Sequence, residues 1–450
     1  MTSVALRSNA GVGEATSRVL VAECGACIGR PVVVHGWIVD LRLSNAIMFL
    51  LLRDRSGAIQ IVCKEPALLD QSNSFTRNSA VRVEGCVRIG RGGAAEIEAI
   101  RLDVQARADA TDLRSGRRSG IDGAAPDALR FLDQREPRQQ LICAVRTTLL
   151  RSLRDTLLND GYLEIQTPKI SAAGSESGAA VFELRYFGRS AYLAQSPQFY
   201  MQMAMAAGLD RAFEIGPVFR AEPSYTNRHA AEFSCLDVEL SWIESHQQLM
   251  DVEEALIRGA LHDIAEAHGE AIERQFGVPV ERLTVPIPRI SYDQALRIAE
   301  QSRPARTTAG QMTFSDEQAL CKTLQRQSGS SFVFVTDFPA EHRPFYTMAT
   351  VDGGRSSRSF DLLWRGIEIT SGCQREHRYP VLLSQIAAAD VADEARDAYL
   401  MPYYLTMFRH GCPPHGGFGL GIERFLFTLL GCSSIAETSF VYRGPEHLTP

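Results

Sequence analysis

Lysine is nearly absent from this chain. Of its 47 basic side chains only Lys64, Lys169 and Lys322 are lysines, a bias that reads as a habit of the genome rather than of function. No apolar run approaches the roughly 18–20 residues that span a bilayer. The opening MTSVALRSNAGVGEATSRV also lacks the apolar core of a signal peptide. These two absences point to a cytoplasmic protein without a membrane partner. A net charge of −6 argues against a surface that coats DNA, although a basic groove for RNA can sit on an acidic body. The ten cysteines include one C-x-x-C, Cys24 and Cys27. No second ligand pair stands at zinc spacing and no thioredoxin-like unit surrounds it, so the thiols read as reduced and structural. There is no internal repeat.

What is present is chain enough, 450 residues, for two or three cored domains. Residues 1–18 are small and polar and are expected to be disordered. Within 19–105 the segments VVVHGWIV, IMFLLLRD, AIQIVCK, AVRVEGCVRIG and AEIEAIRLDV are five short strands separated by Gly and Asn clusters. That spacing suits an OB-type barrel, a fold that often binds single-stranded nucleic acid. Residues 106–130 are rich in Arg, Gly, Ser, Asp and Ala and read as a hinge, with Arg114, Arg117 and Arg118 facing either RNA phosphates or solvent. Residues 131–450 mix helices and strands. RQQLICAVRTTLLRSLRDTLLNDG is an amphipathic helix capped near Gly161, YLEIQTPKI reads as a strand ending at Pro168, and a helical stretch follows between Ser245 and Phe276. SFVFVTDFP, RSFDLLW and IEITSG return to strands, and the fold class is α+β.

Two distant segments carry the same chemistry. FRAEPSYTNRHAAEFSCLDVEL holds Arg220 with Glu222, and GGFGLGIERF holds Glu423 with Arg424. Guanidinium forks fit phosphate oxygens bidentately, so two of them clamp a triphosphate from opposite sides. The first segment reads as an antiparallel hairpin: Arg220 and Glu222 share a strand face, and Asp237 and Glu239 alternate with Leu236, Val238 and Leu240 on the return. The glycines of the second segment mimic a dinucleotide fingerprint, but no further strand follows before Pro450. They read instead as an entry to a helix whose first turn carries Glu423 and Arg424, open enough for the backbone to approach a nucleotide. In SFDLLWRGIEITSG a turn at Arg365-Gly366 sets Leu363 opposite Glu368, with Asp361 one diagonal step away. Two carboxylates so placed suit Mg²⁺, which takes oxygen ligands and phosphate co-ligands.

With these motifs the chain resembles a class II aminoacyl-tRNA synthetase of the aspartyl/asparaginyl subgroup, from about residue 18 to the C-terminus. The short interval between the two arginine segments resembles the archaeal-type aspartyl branch. The resemblance implies an OB-fold anticodon-binding domain, an antiparallel catalytic sheet flanked by helices, and a homodimer built on the helix–strand–proline segment. Its implied activity is formation of an aminoacyl-adenylate from ATP, with Mg²⁺, and transfer to tRNA. Arg220 and Arg424 would be catalytic. The ATP site would add Glu222, Arg228, His229, Phe233 on the adenine, Glu368, Gly421 and Glu423. The amino acid would meet Glu176 in a mobile lid, Gln198, position 201, Arg220, Asp237, Ser371 and Arg375, the last on its side-chain carboxylate. Asp361, Glu368 and Ser371 would hold the metal, and Arg42, Phe49 and Gln60 would grip the anticodon.

Three places around the pocket depart from the aspartyl pattern. Met201 stands where QSPQxxKQ places a lysine that helps neutralise the substrate side chain. The lid reads Ser177 where Gly is usual and Ala179-Ala180 where Thr-Glu is common, and the C-terminus reads FVYRGPEHLTP. In the barrel, LSNA replaces a D-L-G-G turn. The asparaginyl branch has an apolar residue at 201 but reads SGQ for SPQ and Glu at 237. The expected substrate is therefore aspartate. Asparagine, or a paralogue that passes its adenylate to an acceptor other than tRNA, is the alternative, and a non-catalytic RNA-binding module is the remaining one.

Overall fold

The computed structural model describes residues 18–44, 46–70, 75–109, 130–172, 180–302, 312–350, 355–388 and 403–448. Glu176, Ser177, Ala179, the N-terminal extension and the hinge arginines lie outside these. The chain divides into two compact units, one holding a barrel and the other a large sheet.

The barrel is made of β1 (Pro31–Ser44), β2 (Ile47–Asp54), β3 (Gly57–Cys63), β4 (Ala80–Ile89) and β5 (Ala95–Ala106), closed in the order β1-β2-β3-β5-β4. Its strands alternate as their sequence does: in β4 Val81, Val83 and Val87 point into the core while Arg82, Glu84 and Arg88 do not. Closure comes from a parallel β3–β5 pair, which leaves this small barrel no free edge. Cys24 of the C-x-x-C lies in a 3₁₀ turn, Val21–Cys27, fully buried, and burial pushes its thiol up to about 11.

The second unit carries β6 (Leu163–Glu164), β7 (Ile170–Ser171), β8 (Glu183–Tyr186), β9 (Arg189–Leu193), β10 (Arg211–Phe219), β11 (Glu232–Ser241), β12 (Arg289–Ser291), β13 (Phe332–Thr336), β14 (Ser359–Trp364), β15 (Ile367–Gln374) and β16 (His415–Gly421). Eight of these form one sheet, β12-β13-β14-β15-β16-β11-β10-β6, and β7-β9-β8 form a small one. The centre of the large sheet is antiparallel; only its edge strands β6 and β12 pair in parallel. YLEIQTPKI is not one strand but two short ones, β6 and β7, because Thr167-Pro168 breaks the ladder between them.

One face of the sheet is sealed by helices. Pro137–Asn159 begins with proline, which costs nothing at a first helical position, and buries Ile142, Val145, Leu149, Leu153 and Leu157 at three- and four-residue spacing. Gly161, at φ +80°, ends that helix, and Tyr162 N–H closes it on the Leu157 carbonyl at 3.0 Å. Gln247–Phe276 and Ile422–Leu430 bury their own apolar stripes in the same core, against Phe334, Phe360, Trp364 and Phe418. With one face committed to this core, the polar residues of the central strands are left on the other.

Candidate active site

Strand register turns those polar residues into rows. Asp361, Ser371, Gly419, Asp237 and Glu214 stand opposite one another on β14, β15, β16, β11 and β10. Two residues further along, and so on the same face, Ser359, Cys373, Gly417, Glu239 and Ala212 make a second row. On the other side of the first row, Gly421 stands opposite Cys235. A cavity of about 280 Å³ opens over these rows, lined among others by Arg220, Arg228, Phe233, Asp237, Glu368, Ser371, Arg375 and Arg424.

β10 ends at Phe219, so Arg220 and Glu222 are not on the strand as expected. Arg220 N–H still pairs with the Ala231 carbonyl at 2.8 Å, after which Pro223 has no N–H to continue the ladder. Both residues nevertheless line the cavity, with the Arg220 guanidinium 5.4 Å from the Phe233 ring. In the hairpin loop His229 Nδ1 is within 3.1 Å of Ser224 Oγ and 2.5 Å of Thr226 Oγ1. Burial first, and then the Arg424 and Arg228 charges, hold its imidazole below the usual histidine range. Arg228 lies over the Phe314 ring at 3.7 Å.

Glu423 and Arg424 open the Ile422–Leu430 helix, as the sequence indicates. Glu423, however, is occupied: Arg146 donates to Oε1 at 2.7 Å and Ser234 N–H to Oε2 at 2.9 Å. It ties the helix to β11. Arg424 Nη1 donates to the Glu368 carbonyl at 3.0 Å and stands 3.6 Å from its Oε1.

The glycines of β16 serve a purpose beyond the one expected. A Cβ on Gly417 would meet the Val238 carbonyl and Glu239 Oε2, and one on Gly419 would come within 3.1 Å of Asp237 Oδ1. They make room for two neighbouring carboxylates; Gly421 alone of the three lies toward the Arg424 end.

Leu363 stands opposite Glu368 as the turn requires, but Leu362 pairs with Thr370, so Ile369 is an extra residue. The bulge shifts the pairing and sets Asp361 directly opposite Ser371. Burial, and then the Asp361 charge, raise the Glu368 carboxyl. Arg343, which the sequence reading missed, donates Nη2 to Asp361 Oδ2 at 2.7 Å and Nη1 to Ser371 Oγ at 3.1 Å. No local pattern in HRPFYTM announces this role.

At the other end Arg375 is buried and fully engaged. Its Nε and Nη2 donate to the two oxygens of Glu239, each at 3.1 Å, and Nη2 also donates to Gln198 Oε1 at 2.7 Å. Nη1 lies 2.7 Å from Cys373 Sγ. Asp237 is buried, and desolvation lifts its carboxyl to about 7 despite the nearby Cys235, Lys169 and Arg220. Lys169 is itself spent on Glu214 at 2.8 Å. Met201 does not line the cavity. It packs with Ala204, Met205 and Ala212, 1% exposed, in a small apolar cluster.

On the barrel, Arg42 pairs with Phe49 and Leu51 with Gln60, so Arg42, Phe49 and Gln60 share one outer face. Arg42 donates to Asp40 at 3.2 Å and Gln60 to Glu96 at 2.8 Å.

An antiparallel sheet that presents two arginines, paired carboxylates and a buried Arg375 in one cavity, on a chain that also carries an OB barrel, defines a class of enzymes. Residues 127–441 match the family of class II tRNA synthetases (D, K and N), and residues 32–105 match the OB-fold nucleic acid binding domain. The chain belongs to the class II tRNA synthetases of this D, K and N family. It is 38% identical over 441 residues to the aspartate–tRNA(Asp/Asn) ligase of Aeropyrum pernix, covering 96% of this chain and 98% of that one. It is 35% identical to the aspartate–tRNA(Asp) ligase of Pyrococcus furiosus, over 94% and 97% of the two chains. The asparaginyl-tRNA synthetase of Pyrococcus horikoshii, solved with asparaginyl-adenylate, superposes with a TM-score of 0.85 at 30% identity, over 96% and 100%.

Proposed function

We propose that this enzyme activates aspartate with ATP and transfers the aspartyl group to the 3′ end of tRNA, accepting tRNA(Asp) and tRNA(Asn). The observation that carries it is Arg375, a buried guanidinium at the closed end of the cavity, held by Glu239 and Gln198. The relatives named for aspartate and for tRNA(Asp/Asn) support the same choice.

In this reading the triphosphate lies between Arg220 and Arg424, with Arg228 and His229 toward its far end and adenine against Phe233. The α-carboxylate attacks the α-phosphorus, a new O–P bond forms, and pyrophosphate leaves with the electrons of the broken P–O bond. A 3′-terminal hydroxyl of tRNA then attacks the carbonyl, and AMP departs. Positioning and charge stabilisation do the catalysis, and no side-chain nucleophile is needed. Asp237 and Gln198 receive the substrate ammonium, together with Glu176 of the lid. The donor set suits Mg²⁺: hard oxygens of Asp361, Glu368 and Ser371, with Asp361 Oδ1 buried and unpartnered. A bound Mg²⁺ would neutralise phosphate charge there.

Residues 19–105 act as the anticodon-binding domain through Arg42, Phe49 and Gln60, 106–130 as the hinge and 131–450 as the catalytic domain. Leu158, Leu163 and Ile170 are exposed beside the short edge strand β6, which supports a homodimer through that edge. A tRNA substrate supports a cytoplasmic location.

One observation favours asparagine instead: Arg375 is already neutralised by Glu239. ATP–pyrophosphate exchange with aspartate and asparagine in parallel on the wild type separates the readings. Exchange driven by aspartate in the wild type upholds the proposal; exchange driven by asparagine alone overturns it.

A further inference from the structure

Arg343 lies in the connection between β13 and β14, behind a 3₁₀ turn at Ala340–His342, and its guanidinium rests on the Phe338 ring at 3.7 Å. From there it reaches Asp361 Oδ2 and Ser371 Oγ, two of the three groups read above as the metal pocket. Both partners of the ion pair are only 12% exposed. The pairing is nevertheless incomplete. A settled arginine–carboxylate pair is two-pronged, as Arg375 and Glu239 show, whereas here Asp361 Oδ1 and Arg343 Nε are both buried with no hydrogen-bond partner among the described residues.

The carboxylates around it need a cation. Glu368 adjoins Asp361, and the Glu317 carboxylate lies near enough to both to feel their charge. Mg²⁺ gives up its water reluctantly and binds such sites together with substrate phosphates. Among the described residues no group of three or more Asp, Glu, His or Cys side chains is arranged to hold a metal ion unaided. Arg343 is the cation that the nucleotide-free structure places in contact with Asp361 and Ser371.

We propose that Arg343 is the internal counter-cation of the metal pocket, holding Asp361 and Ser371 in the nucleotide-free enzyme and yielding them to a divalent cation that arrives with the triphosphate. The inference rests on reading Asp361, Glu368 and Ser371 as that pocket. It does not depend on which amino acid is activated.

Mn²⁺ binding to the full chain, followed by the loss of the free-ion paramagnetic resonance signal with no nucleotide present, tests it. Arg343→Gln should bind Mn²⁺ at least about tenfold more tightly than the wild type, because a positive charge in direct contact with Asp361 is gone. Adding Asp361→Asn should abolish that gain. Phe338→Leu leaves every charge in place but removes the ring under the guanidinium, and should tighten Mn²⁺ about two- to fivefold; it carries the test alone if Arg343→Gln does not fold. Unchanged Mn²⁺ affinity in a folded Arg343→Gln or Phe338→Leu protein overturns the proposal. So does a gain that survives Asp361→Asn.

Discussion

Arg375 and Glu239 meet through two parallel contacts of 3.1 Å on the floor of the cavity, with their side chains 6% and 1% exposed. The pair sets the chemistry of the amino-acid end, because a guanidinium held at this angle has little freedom left to follow a substrate. Glu239→Gln should leave an uncompensated buried charge and cost about 3–5 kcal/mol of stability. Arg375→Leu should reduce amino-acid-dependent pyrophosphate exchange at least about a hundredfold through lost charge-assisted hydrogen bonds. Thermal denaturation and exchange kinetics on the two variants check both.

Asp237 implies a pH dependence. Its folded carboxyl is raised to about 7 from 3.8, so between those values the folded state holds a proton that the unfolded state has released. Stability from this group is thus lost as pH climbs through that window, and levels off above about 7. Binding of an ammonium runs the other way, because only the ionised carboxylate attracts it. KM for the amino acid should fall as pH rises from about 6 to about 8, and Asp237→Asn should flatten that profile while weakening binding throughout. KM measured across this range in both proteins decides it.

Glu253, on the long helix behind Asp361, is fully buried, with the Thr370 hydroxyl as its neighbouring donor. Burial raises it to about 8 from 4.5, so its contribution to stability declines as pH rises between those values. Glu253→Gln removes the titration. It should be close to neutral at pH 5 and more stable than the wild type by about 1–3 kcal/mol at pH 9. Denaturation at the two pH values tests this, and equal shifts at both would count against it.

Arg146 reaches Glu423 from the Pro137–Asn159 helix and also donates to Ser234 Oγ at 2.7 Å. Arg146→Ala should destabilise the protein by about 3 kcal/mol, since Glu423 is left buried with only its backbone donor. It should also raise KM for ATP more than KM for the amino acid, because the helix start that carries Arg424 loses its tie to β11. Separate saturation curves for the two substrates distinguish this from a uniform loss of active enzyme.

The barrel strands, the Arg220 hairpin, the Ile422–Leu430 helix and the Arg365-Gly366 turn are legible in the chain because each rests on local evidence: period-two alternation, turn residues, or a glycine at positive φ. What local evidence leaves out is of another kind. Met201 occupies a position that family pattern assigns to the pocket, yet its side chain faces Ala212 and Met205. Glu423 lines the cavity, and what holds it there is Arg146, 277 residues earlier. The β16 glycines, read as room for a nucleotide, also accommodate Asp237 and Glu239.

By itself the sequence determines which residues lie on the same face of each strand, since that follows from geometry within a few bonds. Which strands become neighbours, and at what register, belongs to the tertiary structure alone. The row Asp361–Ser371–Gly419–Asp237–Glu214 draws on five strands spread over more than a hundred residues, aligned by burial of the apolar face beneath them. Arg343 is the clearest case: nothing in its local segment marks it, and only the packed sheet brings its charge to Asp361.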